Sequence, residues 1–372
     1  MKTVILNLSQ AFGDIIETTR VLKSIHQTLP NLEIKVKLTE GERRQILDGY
    51  LKRYGGFVSE ILPLNYQIPK ESKQKESEID LTWYQDELPN HYGIHYTEAM
   101  LRTAEKQLSK ILNKQITLER NVESELLFPL EKFKEEIELG KRKLEEIVQQ
   151  NPNKQLIWLG TRTTGSQNRM PQSHHGNLWT DVINNLSNDF IFYEKRAPND
   201  QPIHQEIYPK SNESLSLSAE SEIIKQAEAG ISVDGMQIHL AYALGNKKML
   251  VLLGPTHPKA VIYPNTDNDM LTIPDLKTFE SIRNCCIACG LHGYIQISKY
   301  SQIKEIMTTR YSEFEFCPEI QKALKEKSQT SLNEAIKLHG CRALKEKEKQ
   351  YDCWSLITPS KVIKKFYQLM NN

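Results

Sequence analysis

The sequence predicts an α/β protein made of two parallel-sheet units that face each other across a cleft, with a cysteine-containing C-terminal region. Three observations predict it. Short strand-like apolar runs alternate with helix-length amphipathic segments near the N-terminus, and a second such series starts after Asn151-Pro152-Asn153. The apolar runs end on turn residues that suit ligand loops: Gly13-Asp14, Asp234-Gly235 and Gly254-Pro255. All six cysteines lie after position 284, in a tract otherwise rich in charge.

In the first series, TVILNL reads as a strand, IIETTRVLKSIHQTL as a helix and NLEIKVKL as a second strand. Ile15, Thr19, Leu22, Ile25 and Leu29 fall on one helical face, whereas Leu32, Ile34, Val36 and Leu38 alternate as in a strand. Helical periodicity returns in GERRQILDGYLKRYG, from Tyr96 to Leu112, and in EKFKEEIELGKRKLEEIVQQ. The polar stretch from Tyr66 to Asp80 reads as a surface loop.

Asn151-Pro152-Asn153 marks the expected domain boundary, giving units of residues 1–150 and 151–372. Beyond it the series runs QLIWLG, NLWTDVINNLS, FIFYEK, SAESEIIKQAEA, GISVD, GMQIHLAYALG and KKMLVLLG, strands and helices in turn. Alternation of this kind implies two Rossmann-like domains, with ligands held at the carboxyl ends of their strands. The charged segments KALKEKSQTSLNEAIKLHG and ALKEKEKQ are helix-prone. TPSKVIKKFYQLM reads as a terminal helix with Thr358 as N-cap and Pro359 in its first turn.

Bulk properties narrow the function. At 372 residues, 39% apolar and 26% charged, the chain has the composition of a soluble globular protein. A net charge of +1 gives no global field for nucleic acid. The apolar runs are too short to span a bilayer and the N-terminus reads as a strand, so a cytoplasmic location is expected, with peripheral membrane contact and homo-oligomer formation left open. Clustered cysteines suit a local metal site better than a disulfide framework. No GxGxxG follows a first strand and no P-loop appears, which speaks against a dinucleotide redox enzyme or an ATPase.

The strand-end motifs carry the chemistry. A helix N-terminus offers unsatisfied N–H groups and partial positive charge to a phosphate, so the helix opening at Gly235 and Met236 suits a diphosphate. Asp234 at the strand end can accept hydrogen bonds from sugar hydroxyls. Asp234, then His239 five residues on, then HLAYALG and LLGPTHP, resemble the nucleotide-sugar signature of the family-nine glycosyltransferases. These are the ADP-heptose:lipopolysaccharide heptosyltransferases and their relatives that modify autotransporter proteins. One departure stands out: the family has a small residue and then glycine after the aspartate, whereas here Gly235 follows directly and Met236 takes the next place.

That resemblance implies a GT-B architecture with the donor on the C-terminal domain and the acceptor on the N-terminal one. LNLSQAFGDIIETTRVLKSI resembles the family's first strand, glycine-aspartate loop and helix, which makes Asp14 the general base and Gly13 the residue that keeps the cleft open. WLGTRTTGSQNRMPQ resembles the phosphate loop, with Thr163 and Thr164 as the hydroxyl pair and Arg169 as the cation, Arg162 in reserve. The implied reaction is inverting transfer of a sugar, heptose from ADP-heptose, to a lipopolysaccharide-type or protein acceptor, with no cofactor needed for catalysis. His239 would orient the loop around Asp234. The resemblance also implies that the terminal helix crosses back to the N-terminal domain. CCIACG, FCPEI and DCWSLITPSKVIKKF resemble the family's late cysteine pattern, so Cys286, Cys289, Cys317 and Cys353, with Cys341 as alternative to the last and Cys285 competing with Cys286, would bind structural zinc or iron. His174-His175 could touch a diphosphate, and Trp83-Tyr84 could line the acceptor side. The other readings are a silent sugar-nucleotide-binding or scaffold protein, and a GT-B enzyme using another nucleotide sugar.

Overall fold

The computed structural model describes residues 2–39, 41–51, 58–73, 75–82, 94–162, 172–196, 202–210, 214–254, 256, 258–264, 266, 269–278, 322, 325–326, 328, 330 and 356–372. Two parallel sheets organise them. The first contains β1 (Thr3–Asn7), β2 (Glu33–Lys37), β3 (Val58–Leu62) and β4 (Glu76–Asp80) in the order β3-β2-β1-β4. The second contains β5 (Gln155–Gly160), β6 (Phe190–Glu194), β7 (Ile207–Tyr208), β8 (Ala229–Val233), β9 (Met249–Leu252) and β10 (Met270–Ile273) in the order β10-β9-β8-β5-β6-β7. The strand order reverses beside β1 in one sheet and between β5 and β8 in the other. At such a switch point the adjacent loops diverge, leaving a crevice at the carboxyl ends of the strands.

The helices are α1 (Phe12–Thr28), α2 (Glu42–Asp48), α3 (Tyr96–Leu112), α4 (Leu130–Gln149), α5 (Gln172–Leu186), α6 (Leu217–Gln226), α7 (Met236–Ala243), α8 (Pro258–Val261) and α9 (Pro359–Met370). Helix α1 buries Ile15, Thr19, Leu22 and Ile25, four of the five positions that its periodicity marks as one face. Val4 and Leu6 of β1 join them in the core.

The other face of the first sheet is built differently. Tyr66 to Asp80 is not wholly a loop: its last five residues form β4, paired in parallel with β1. The reason is charge across the sheet. Lys37 Nζ lies 2.7 Å from Glu78, and Lys35 Nζ lies 3.3 Å from Glu76 and 3.4 Å from Glu60. Ile5 is fully buried in the same cross-strand row as Lys35 and Glu78, where apolar stems of long charged side chains can cover it. A polar sequence thus forms an edge strand without an alternating apolar pattern.

Terminal helix α9 begins as its sequence predicts, with Thr358 Oγ1 accepting from Lys361 N at 3.4 Å. Its destination differs from the expectation. Val362, Phe366 and Leu369 are buried in the second unit's core, where Phe366 meets Phe190 edge to face at 5.2 Å. Tyr367 Oη donates to Asp189 at 2.9 Å. This apolar face matches the surface formed by α5, β9 and β10, so the helix packs there instead of crossing back.

Helix α4 precedes Asn151 yet packs on α6. Phe133, Ile137, Gly140 and Ile147 are its buried residues. The helices approach so closely that a Cβ on Gly140 would stand 2.1 Å from the Ala219 carbonyl oxygen. Since that oxygen is backbone, no rotamer change relieves the clash. Gly140→Ala is expected to destabilise the protein by about 1–3 kcal/mol, read as a lower urea midpoint at unchanged slope.

Candidate active site

The sequence-predicted residues can be followed upward from the two switch points. From β1 the chain runs through Leu8 to α1, whose first turn holds Gly13 and Asp14. From β8 it reaches Asp234, 5% exposed, and then α7, which starts at Gly235 with no side-chain cap. Gly235 is fully extended (φ 179°, ψ −175°), a conformation open to any residue. No special torsion therefore calls for glycine there. Asp234 Oδ2 accepts a 2.6 Å hydrogen bond from Thr256 Oγ1, which joins the β8 end to the turn after β9.

These two helix starts meet. A Cβ on Gly13 would lie 2.9 Å from His239 Cδ2, 3.6 Å from His239 Nε2 and 3.6 Å from the Met236 Cα. Glycine at position 13 is what lets α1 approach α7. The expected open turn at Gly13 is thus also a packing contact. The end of β5 joins the same place: Gln237 Nε2 on α7 donates to the Arg162 carbonyl at 3.4 Å. Thr161 Oγ1, beside it, donates to Glu194 Oε1 at the end of β6. Burial pushes the Glu194 carboxyl up, opposed by Thr161, Arg162 and Arg196.

Beneath the helix starts lies a buried polar cluster that the sequence reading missed. Glu17, one turn after Asp14 on α1, is 0% exposed, and its Oε1 lies 3.1 Å from His239 Nδ1. The Tyr263 hydroxyl stands 2.7 Å from the same nitrogen and 3.5 Å from Glu17 Oε1. Tyr263 also stacks on Tyr242, ring centroids 3.5 Å apart, and packs on His95 at 4.3 Å. Arg20, the next turn along α1, donates to the carbonyls of Val122 and Arg120 at 2.7 and 2.9 Å and to Thr97 Oγ1 at 2.6 Å. A signal for the cluster was present: Asp14, Glu17 and Arg20 recur every third residue along a helix whose buried residues also include Ile15, Ile16, Val21 and Leu22. Tyr263 and His95 carried no comparable signal.

Electrostatics ties the cluster to the site. Burial pushes the Glu17 carboxyl up, opposed by His239, while Asp14 and Asp234 push it further up. Burial works against charge on His239 as well, but Glu17, then Asp234 and Asp14, outweigh it and the imidazole is pushed up. The two shifts conflict, since a neutral Glu17 would withdraw the charge that favours the imidazolium. The ionised pair is the state the 3.1 Å contact supports, so His239 is the partner that holds the extra proton. His95 is driven well down by burial, then by His239 and Arg20. It serves instead as the N-cap of α3, its Nδ1 accepting from Thr97 N at 3.1 Å.

Not every candidate can be followed. Thr163, Thr164 and Arg169 lie outside the described residues, as do Trp83, Tyr84 and all six cysteines: Cys285, Cys286, Cys289, Cys317, Cys341 and Cys353. His174 and His175 belong to the first turns of α5 and not to a polar loop. Among the described residues no group of three or more His, Cys, Asp or Glu side chains could hold a metal ion, and no helix is long and apolar enough to cross a membrane.

No protein-family model matches the chain, and no curated protein does. Solved structures do. A glycosyl transferase family 9 structure from Veillonella parvula DSM 2008 aligns over 100% of this chain and 97% of its own, at 12% identity and TM-score 0.53. The fold is GT-B. An E. coli ADP-heptose lipopolysaccharide heptosyltransferase II aligns over 73% of this chain and 90% of its own, at 14% identity and TM-score 0.43. The iron-containing dodecameric glycosyltransferase TibC of enterotoxigenic E. coli aligns over 71% and 61%, at 13% identity and TM-score 0.45. At those scores the latter two say nothing further about this chain.

The raised His239 makes a prediction about stability. A group whose folded pKa lies above its unfolded value contributes stability that is complete below the unfolded value, here 6.5, and lost as pH rises through the folded one. The unfolding free energy from urea titration is expected to fall as pH rises above 6.5. His239→Gln should flatten that decline.

Proposed function

We propose that this protein is an inverting glycosyltransferase, moving heptose from ADP-heptose to a hydroxyl of a lipopolysaccharide-type or protein acceptor. One observation carries the reading: the α1 start with Asp14 and the α7 start with Asp234 lie against each other at the strand ends of two facing parallel sheets, with His239 between them. The fold shared with a family-nine glycosyltransferase from Veillonella parvula supports it.

In this reading residues 1–150 form the acceptor domain and residues 151–372 the donor domain. The donor's diphosphate lies at the uncapped start of α7, where backbone N–H groups of Gly235 and Met236 and the helix dipole favour an anion. Asp234, joined to Thr256 through Oδ2, orients sugar hydroxyls at the end of β8. Asp14 accepts the acceptor's hydroxyl proton as that oxygen attacks the anomeric carbon from the face opposite the diphosphate. The new carbon–oxygen bond forms as the bond to the diphosphate breaks, and ADP departs with the electron pair. Charge grows on the departing oxygen, so α7, with Thr163, Thr164 and Arg169, lowers the barrier by meeting it there. No metal is needed for this step. Cys286, Cys289 and Cys317, with Cys353 or Cys341, would hold a zinc or iron ion with a structural role.

Asp14→Asn removes the base and keeps the shape. It is expected to lower turnover by at least about 100-fold, measured as ADP release, with ADP affinity by calorimetry unchanged. Selective binding of UDP or GDP by the unaltered protein would keep the fold and overturn the donor.

A further inference from the structure

Glu17 has no part in the proton transfer assigned to Asp14, yet it is a fully buried acid at the crossing of α1 and α7. Its Oε2 has no hydrogen-bond partner among the described residues, so its contacts are concentrated on Oε1. That oxygen and the Tyr263 hydroxyl converge on one atom, His239 Nδ1, at 3.1 and 2.7 Å. The opposite edge of the ring, Cδ2 and Nε2, is the one that rests against Gly13. The imidazole is therefore gripped at Nδ1, with Nε2 turned toward the junction of the two helix starts.

Tautomer logic follows from this grip. With Nδ1–H donated to the carboxylate and the phenol oxygen, Nε2 of a neutral ring can only accept; a second proton makes it a donor. An anion within hydrogen-bond reach of Nδ1 favours that second proton. We propose that Glu17 is a positioning residue that holds His239 through Nδ1 and thereby makes Nε2 a cationic N–H donor to the leaving diphosphate. This rests on the sugar-nucleotide reading above and names a residue that reading did not use.

The other groups facing the ring are consistent with the role. Asp14 from α1 and Asp234 from the end of β8 act on the imidazole in the same direction as Glu17. Tyr263, after α8, keeps its proton, because burial and then Glu17 and Tyr242 push the phenol well up. His95, ahead of α3, is kept neutral by its burial, and the Arg20 charge is spent on carbonyls and Thr97.

The test is a histidine-selective NMR titration of the full chain. The wild-type His239 midpoint is expected above 6.5, and Glu17→Gln is expected to lower it by about one unit or more. A wild-type midpoint at or below the ordinary value overturns the proposal without any variant. Tyr263→Phe leaves the carboxylate in place and should retain the raised midpoint; a loss equal to that in E17Q would overturn it. A double-mutant cycle on ADP affinity is the second reading. E17Q and H239Q should each weaken ADP by about tenfold, and the double variant should bind no worse than H239Q alone. Additive losses would show that Glu17 acts apart from His239 and would overturn its positioning role. If the wild-type protein binds no nucleoside diphosphate, the sugar-nucleotide reading fails, while the titration still decides whether Glu17 governs His239.

Discussion

The contact between α1 and α7 is the constraint on which the arrangement of the site depends. Each helix starts at a strand end, and each start faces the other unit. Because position 13 has no side chain, the Met236 backbone and the His239 ring reach the first turn of α1. Because Glu17 and His239 carry complementary groups, that approach has a defined register and not merely close packing. Asp14 and Asp234 are brought to one place by this contact, although they stand 220 positions apart in the chain.

Burying charge at such a crossing is costly in itself. Two desolvated ions recover their lost hydration only through good geometry and supporting hydrogen bonds, and an apolar pair of equal volume often serves stability as well or better. The surroundings of Glu17 and His239 read as that support. Tyr263 bridges the two, Tyr242 backs Tyr263 by stacking, and Arg20 fixes the chain from Arg120 to Val122 alongside. A network in which each member constrains the next fixes the register of α1 against α7.

Much of the fold was legible in the sequence wherever one face of an element is apolar. Helix α1 and strand β2 announce themselves by period, and strands β1, β5, β6, β8 and β9 as short apolar runs that are buried almost throughout. Strand β4 did not, because its partners across the sheet are lysines and a charged ladder leaves no alternating apolar trace. Strand β7 has only two residues, and β3 exposes Ser59 and Glu60 side by side, so neither shows a period. The route of α9 was misjudged for a different reason. An amphipathic helix declares that it has an apolar face but not which surface will cover it. The same holds at the site: Asp14, Asp234 and Gly235 were found by position at strand ends, whereas Tyr263 and His95 become meaningful only once folding has brought distant segments together.

Helix α4 carries a consequence for how the chain acquires its structure during synthesis. Its buried residues include Phe133, Ile137 and Ile147, and the notch at Gly140 closes against α6, which emerges from the ribosome only later. Until Leu217–Gln226 is available, a nascent chain that has already completed its first sheet displays an uncovered apolar helix at its trailing end. Order of synthesis and order of burial therefore disagree in the middle of the chain. That interval is where the growing polypeptide is most exposed to self-association and where a chaperone would find its handle.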